Sequence, residues 1–332
     1  MNARRFFATA LVLSTLLTAC SSDNEPKTVT MLVYDSFPIK DTPLQDALAD
    51  FTTDTGIKVR LLTAGDAGTM VTKATLTAGN PEGDVMWGVD NTLLSAAIDA
   101  EIFESAPVQV DYGDVCVNYD IAWFEDRNIA PPVTLDDLVA PEYADLLVVE
   151  NPSSSSPGLA FMLATIARYG EPGWEQYWTD LRANGVEVVE SWDIAYYERF
   201  SGAAGSEGDR PLVVSYGSSP PAEVIFAEPP RSDAPTGVSE GTCFRQQEYA
   251  GVLRGTDHPT EAAQLVQFLI GERFQRELPL TLFVYPVNKV VTLPEVFTQF
   301  AVIPSDPFSI DPAAIAAHRE EWQDRWNEIV LR

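Results

Sequence analysis

The chain has 332 residues, 45% of them hydrophobic, which is enough to bury a core in two lobes and too apolar for a disordered chain. Its 49 acidic residues against 21 basic ones give a formal charge of −28, which argues strongly against nucleic acid as a partner, because phosphate backbones are held by lysine and arginine. A cationic ligand suits that charge better, although a solvated acidic surface accounts for much of it.

Met1 to Arg5 is a basic head, Phe6 to Leu17 is an apolar run too short for a normal membrane span, and Leu17-Thr18-Ala19-Cys20 closes it. This pattern resembles a bacterial lipoprotein signal. Residues 1–19 are then a signal peptide, Cys20 is a lipidated N-terminus, and residues 20–27 form a polar tether. An ordinary secretory signal cut near Ala19 is the alternative, and both readings place the chain outside the cytoplasm. No later apolar stretch is long enough to span a membrane.

Thr28 to Asp35 reads as a first strand ending in Tyr34-Asp35. Leu44 to Thr53 is helical, with Leu44, Ala47, Leu48 and Phe51 spaced by three and four. Ile57 to Leu62 is a second strand, running through the turn Ala64-Gly65-Asp66-Ala67-Gly68-Thr69 into a helix from about Met70 to Ala78. Asp84 to Trp87 is a third, ending in Gly88-Val89-Asp90-Asn91 before a helix over Leu93 to Ala100. Three strand–helix alternations give an α/β chain with a largely parallel sheet, and in such sheets the strand ends face a cleft.

Val108 to Asp120 and Thr242 to Gly255 carry Cys116 and Cys243. In an exported chain a leftover pair is most simply a disulfide, with two buried free thiols as the alternative. A disulfide would hold the segments side by side as crossover strands, with everything between them inserted as a second lobe. The division is then 28–115 with 249–332 as lobe 1, and 116–248 as lobe 2.

Within the insert, Leu146 to Met162 reads as strand, polar turn and helix: an apolar run, Asn151-Pro152, four serines, then Pro157. The first N–H groups of a helix lack partners and its dipole is positive there, so Ser155 and Ser156 suit a phosphate or carboxylate. A serine-rich N-cap with spare hydroxyls is the alternative. Helices follow over Leu159 to Tyr169 and around Trp174 to Arg182, then Val186 to Val189 leads to Trp192. Leu212 to Tyr216 is a strand that ends in Gly217-Ser218-Ser219. Pro259 to Glu272 is an amphipathic helix, and Leu282 to Val287 is a short aromatic strand or loop containing Phe283. The last helix has Asp311 as cap, Pro312 in its first turn, and a core stripe of Ile315, Trp322, Trp326 and Ile329.

In this order, Tyr34-Asp35-Ser36-Phe37, Gly88-Val89-Asp90-Asn91, Asp111-Tyr112-Gly113, Ser155-Ser156-Pro157-Gly158-Leu159, Trp192 with Ala195-Tyr196, Ser215-Tyr216 and Tyr285-Pro286-Val287 are informative together. From about Val29 to the C-terminus the chain resembles the periplasmic thiamine-binding proteins of bacterial importers. The resemblance implies an α/β, two-lobed periplasmic-binding-protein-like fold of type II, each lobe a mixed sheet flanked by helices, with the ligand cleft between lobes. It also implies a monomeric, lipid-anchored solute-binding protein that serves an ABC permease with ATP-binding subunits, uses no cofactor and makes no bond. By position it implies ligand contacts from Tyr34, Asp66, Ala67, Ser155, Ser156, Trp192, Tyr216, Gly217, Ser218, Ser219 and Phe283. Ala67 stands where the family tends to have glycine, Gly217-Ser218 replaces a threonine-rich loop, and Phe283 takes the place of an expected tryptophan.

The chemistry agrees. Thiamine carries a permanent thiazolium cation, which aromatic faces and a carboxylate hold well, and the serine turn suits its hydroxyethyl or phosphate end. A ferric-ion binding protein of the same architecture is the first rival, suggested by Tyr196-Tyr197 as phenolate ligands. Neighbours in a helix-like stretch point about 100° apart, however, and no histidine completes a ligand set. An extracytoplasmic hydrolase is the second rival, but His258 and His318 are the only histidines, the first near a helix start and the second on the C-terminal helix, and there is no H-E-x-x-H motif.

Overall fold

A computed structural model describes residues 27–229 and 231–332. The expected signal segment 1–19, the lipidation candidate Cys20 and the tether up to residue 26 lie outside the described residues.

Strands β1 (Thr28–Val33), β2 (Lys58–Thr63) and β3 (Val85–Asp90) run parallel, with β1 in the middle. β1 and β3 are buried almost throughout, as expected for strands covered on both faces, and their sequences are correspondingly apolar. Helices α1 (Pro43–Thr55), α2 (Ala67–Leu76) and α3 (Leu94–Asp99) follow these strands in turn. α1 buries Leu44, Ala47, Leu48 and Phe51 and stops at Gly56, whose φ of 75° lets its N–H reach the Thr52 carbonyl. α2 starts three residues earlier than its apolar spacing suggested, because the Asp66 carboxylate accepts from the Ala67 amide as its cap.

The long strand β4 (Val108–Asp120) leads through α4 (Ile121–Arg127) to β5 (Leu147–Glu150), α5 (Ser156–Ala183), β6 (Glu187–Val189), β7 (Leu212–Tyr216) and α6 (Pro220–Ile225). β8 (Thr236–Val252) then runs back antiparallel to β4. α5 is interrupted by non-helical backbone at Gly170, Glu171 and Pro172, so it is two helices, as its sequence suggested. α7 (Pro259–Leu269), α8 (Glu272–Gln275), α9 (Leu278–Thr281), β9 (Tyr285–Pro286), α10 (Glu295–Phe300) and α11 (Pro312–Val330) complete the chain.

The strand order β2-β1-β3-β8-β4-β7-β5-β6, with β9 on β4, describes a mixed sheet in two halves. One half is β2, β1 and β3 with antiparallel β8; the other is β6, β5 and β7 with antiparallel β4. β4 and β8 pair with each other and join the halves. The lobe boundaries drawn from sequence fall inside these two strands. α11 departs from that division. Its Trp326 packs edge-on against Trp178 of α5 at 5.3 Å, and Arg325 pairs with Glu171 at 2.7 Å, so the tryptophan stripe finds its apolar partner on the inserted lobe. Within the stripe, Ile315, Trp322 and Trp326 are buried and Val330, rather than Ile329, completes the buried set.

Cys116 and Cys243 form a disulfide joining β4 to β8 across 127 residues of sequence. The pairing register shifts between Val115 and Val117, and the disulfide therefore staples the crossover where its ladder is irregular. Replacing both cysteines with serine should lower the unfolding free energy by about 3–5 kcal/mol. Denaturant unfolding followed by tryptophan fluorescence checks this, and an unchanged midpoint would show that the ladder alone holds the crossover.

Candidate functional site

A cavity of about 250 Å³ lies where the two halves meet. Its walls come from the ends of β1 and β7, the turn before α2, the first turn of α5, the segment around Trp192, the middle of β8 and the loop after α9. Placement at strand ends follows from open α/β topology, because that is where successive loops leave a sheet on the same side.

Tyr34 and Tyr216 provide aromatic walls, each packed against a glycine. Gly88 has φ of 114°, and a Cβ there would sit 2.5 Å from the Tyr34 ring; a Cβ at Gly113 would sit 3.2 Å from that of Tyr216. Trp192 is fixed on several sides. Its indole N–H donates to Ser215 Oγ at 3.0 Å, Ser215 Oγ is 2.9 Å from Ser219 Oγ, and its ring stacks on Tyr196 at 4.8 Å. Tyr196 is held by donating its hydroxyl to Glu223 at 2.8 Å.

Asp66 both caps α2 and clasps the opposite lobe. One carboxylate oxygen accepts from the Ala67 amide at 2.6 Å, the other from the Trp192 amide at 3.1 Å. Burial raises its pKa, and these two amides oppose the rise. A second acid, Glu248 of β8, lines the cavity, and burial with neighbouring Asp111 and Asp90 pushes it well above the usual carboxylate range. Next to Trp192 in sequence, Asp193 is raised to about 6 by burial and the Asp66 charge. Among the described residues no lysine or arginine lines the cavity.

Of the sequence candidates, Tyr34, Asp66, Ala67, Ser156, Trp192, Tyr216, Ser219 and Phe283 lie on the cavity wall. Ser155, Gly217 and Ser218 stand behind it. The Ser155 hydroxyl is buried with no hydrogen-bond partner. The Gly217 amide donates to the Asp114 carbonyl at 2.8 Å, and its Cα side faces the Val302 carbonyl, which leaves no room for a side chain. Ser218 donates its hydroxyl to the Phe283 carbonyl, and this bond ties down a residue held at φ 56°, a conformation unfavourable for a bulky side chain. In the serine turn, the Ser154 and Ser155 amides donate to the Asn151 carbonyl and are spent internally, while Ser156 Oγ accepts from Gln246.

Sequence reasoning passed over Glu248, Phe226 and Tyr197 as wall residues. For Glu248 a signal existed: Gln246, Glu248 and Ala250 alternate on the buried side of β8. The Tyr196–Tyr197 pair does not converge. Their rings are 86° apart, Tyr196 is buried against Glu223 and Tyr197 is exposed.

The model for the bacterial extracellular solute-binding protein family matches residues 94–214. The chain is similar to the thiamine-binding periplasmic protein of Escherichia coli (strain K12), with 29% identity over 331 residues that cover 96% of this chain and 98% of the relative. It superposes on a solved periplasmic thiamin binding protein with a TM-score of 0.81 and 26% identity, covering 92% of this chain and 96% of that one. Iron-bound HitA from Pseudomonas aeruginosa shares the fold, with a TM-score of 0.66 and 16% identity, covering 91% of this chain and 99% of that one. The fold is thus the two-lobed, type II periplasmic-binding-protein architecture. Among the described residues no helix is long and apolar enough to cross a membrane.

Beneath the serine turn, Glu150 is wholly buried and neither carboxyl oxygen has a partner. Burial raises its pKa well above the unfolded value. A carboxyl raised in this way costs nothing below its unfolded pKa of about 4.3 and costs progressively more as pH climbs towards its folded value. Glu150→Gln should therefore raise the melting temperature at about pH 7, and the gain should vanish towards about pH 4. Thermal scans of both proteins across that range check it, and a gain independent of pH would assign the effect to packing.

Proposed function

We propose that this chain captures thiamine, or a phosphate ester of it, outside the cytoplasm and delivers it to an ATP-powered permease, tethered to the membrane by a lipid on Cys20. The observation that carries this reading is the cavity wall. It combines carboxyls from Asp66 and Glu248 with the faces of Tyr34, Trp192 and Tyr216 and, among the described residues, holds no basic side chain. Aromatic faces with an unpaired carboxyl are what a desolvated organic cation requires. The thiamine-binding relatives align along nearly the whole chain, and the wall positions lie within that alignment.

Capture works through contacts made from both lobes. Tyr34, Asp66 and Glu248 approach from one side, and Ser156, Trp192 and Tyr216 from the other, so a ligand touching both sets stabilises the closed arrangement over the open one. This reading assigns the chain binding alone, with no bond made or broken, and the printed names of the relatives, which are those of binding proteins, support it. A ferric ion is the weaker reading, because the Tyr196 hydroxyl is committed to Glu223 and its ring stands at 86° to that of Tyr197. The acidic exterior adds a long-range attraction that speeds encounter with a cation and weakens with salt.

Isothermal titration of residues 28–332 with thiamine, its monophosphate and its diphosphate tests the reading. One-to-one binding of at least one of them is expected, and failure of all three would retire the ligand assignment. Trp192→Ala should weaken binding by more than about tenfold, since a desolvated cation over an indole contributes about 2 kcal/mol. Asp66→Asn should weaken it by about tenfold through loss of the charge while keeping a cap for α2; an unchanged dissociation constant would make Asp66 a helix cap alone.

A further inference from the structure

We infer that Glu248, backed by Asp111, is the counter-ion for the positive charge of the ligand, and that seating the cation expels a proton from this pair. The inference rests on the functional reading above and goes on to name the group that recognises the charge.

Glu248 sits in the middle of β8, opposite Asp90 of β3 on one side and opposite Asp111 of β4 on the other. Cross-strand neighbours lie only about 5 Å apart. Glu248 is 7% exposed, lines the cavity, and its Oε2 is buried with no partner. Asp111 is 1% exposed, and its Oδ1 also has none. The neighbouring acids are better served. Asp90 accepts from the Thr92 amide and hydroxyl, the Leu93 amide and Gln246. Asp114, three residues along β4, faces Arg245 in register and pairs with it at 2.6 Å. The same two strands thus give one buried acid an arginine and set the next acid against another acid.

The titratable groups that face Glu248 are Asp90 from β3, Asp111 from β4, Asp66 from the cap of α2, Tyr34 after β1 and Tyr216 at the end of β7. None is a cation. The donor nearest the pair is the Trp87 indole, which reaches Asp111 Oδ2 at 3.2 Å. Two carboxylates side by side in a dry site cannot both ionise, so the pair retains a proton at neutral pH. Burial raises Asp111 to about 7, and burial with the neighbouring Asp111 and Asp90 pushes Glu248 well above the usual carboxylate range. A cation placed on the cavity side of Glu248 reverses the balance: it favours the ionised carboxylate, and the O–H proton leaves for solvent. The step is ligand cation plus protonated pair giving the cation–carboxylate complex plus one released proton, with no other bond changed.

The sign follows by linkage. Binding that releases a proton strengthens as pH rises through the titration of the pair, by up to tenfold per pH unit, and levels off above it. Thiamine should be titrated calorimetrically into the purified protein from about pH 6 to about pH 8, in phosphate and in Tris, whose ionisation heats differ. The wild type should show an enthalpy that depends on the buffer, corresponding to release of up to one proton, and an affinity that rises with pH. Glu248→Gln should bind at least about tenfold more weakly and lose both the buffer dependence and the pH slope. Asp111→Asn should keep neutral-pH affinity equal or higher and move the slope to lower pH, because Glu248 then ionises without an acidic neighbour. Should Glu248→Gln not fold, wild type and Asp111→Asn still decide the matter. A wild type that binds thiamine with no proton release, or Glu248→Gln with unaltered affinity and slope, would overturn this inference alone. A wild type that does not bind thiamine at all would overturn the functional reading with it.

Discussion

Carboxyl groups buried without a cation are the constraint on which this structure turns. Asp66, Asp90, Asp111, Glu150 and Glu248 are clustered where the lobes meet, and burial raises the pKa of every one of them. Amides, the Thr92 hydroxyl, Gln246 and the Trp87 indole satisfy part of this set, and among the described residues no lysine or arginine lines the cavity. Closing such a site empty brings like charges together in a low dielectric or forces them to hold protons. Closing it around an organic cation removes that cost. The acidic interior therefore does for the ligand what a binding residue alone does not: it makes closure depend on cargo.

The scaffold that places these acids is the pair of crossover strands. β4 carries Asp111, Asp114 and Cys116, while β8 carries Cys243, Arg245, Gln246 and Glu248, so one ladder supplies the staple, a neutralised ion pair and the unpaired acids. Above this ladder, beside the cavity, polar bonds cross from one lobe to the other. The Asp66 carboxylate holds the Trp192 amide, the Ser154 carbonyl accepts from the Thr69 amide, and Ser218 holds the Phe283 carbonyl. Polar clasps of this kind exchange readily with water, whereas the apolar faces beneath them do not. α11 spans the junction by packing on α5 while also lying against α3.

Much of this was legible from the residues. Period-2 and 3.6-residue patterns located the strands and the longer helices, Asp311-Pro312 marked the start of α11, and the Cys116–Cys243 pair foretold the crossover. The short helices α4 and α6 went unread because six or seven residues carry too little periodicity. The site was legible as a set of strand ends, and less so in the direction each residue points. Gly217 and Ser218 adjoin wall residues in sequence, yet their contacts are with the protein behind the wall, a distinction only packing makes. Glu248 escaped notice although it lies within the crossover strand drawn from sequence, because a glutamate within a strand reads as solvent-facing until its neighbours are known. Phe283 was read as an aromatic face; its left-handed backbone and the serine that secures it come from tertiary structure.

Small-angle X-ray scattering of the protein with and without saturating thiamine addresses the coupling of charge to closure most directly. A smaller radius of gyration in the loaded protein is the expected result, because a cation seated against Asp66 and Glu248 on one side also touches Trp192 and Tyr216 on the other and so draws the lobes together. Superimposable curves at saturation would contradict it, and would mean that the lobes meet in the same way whether or not a cation lies between them.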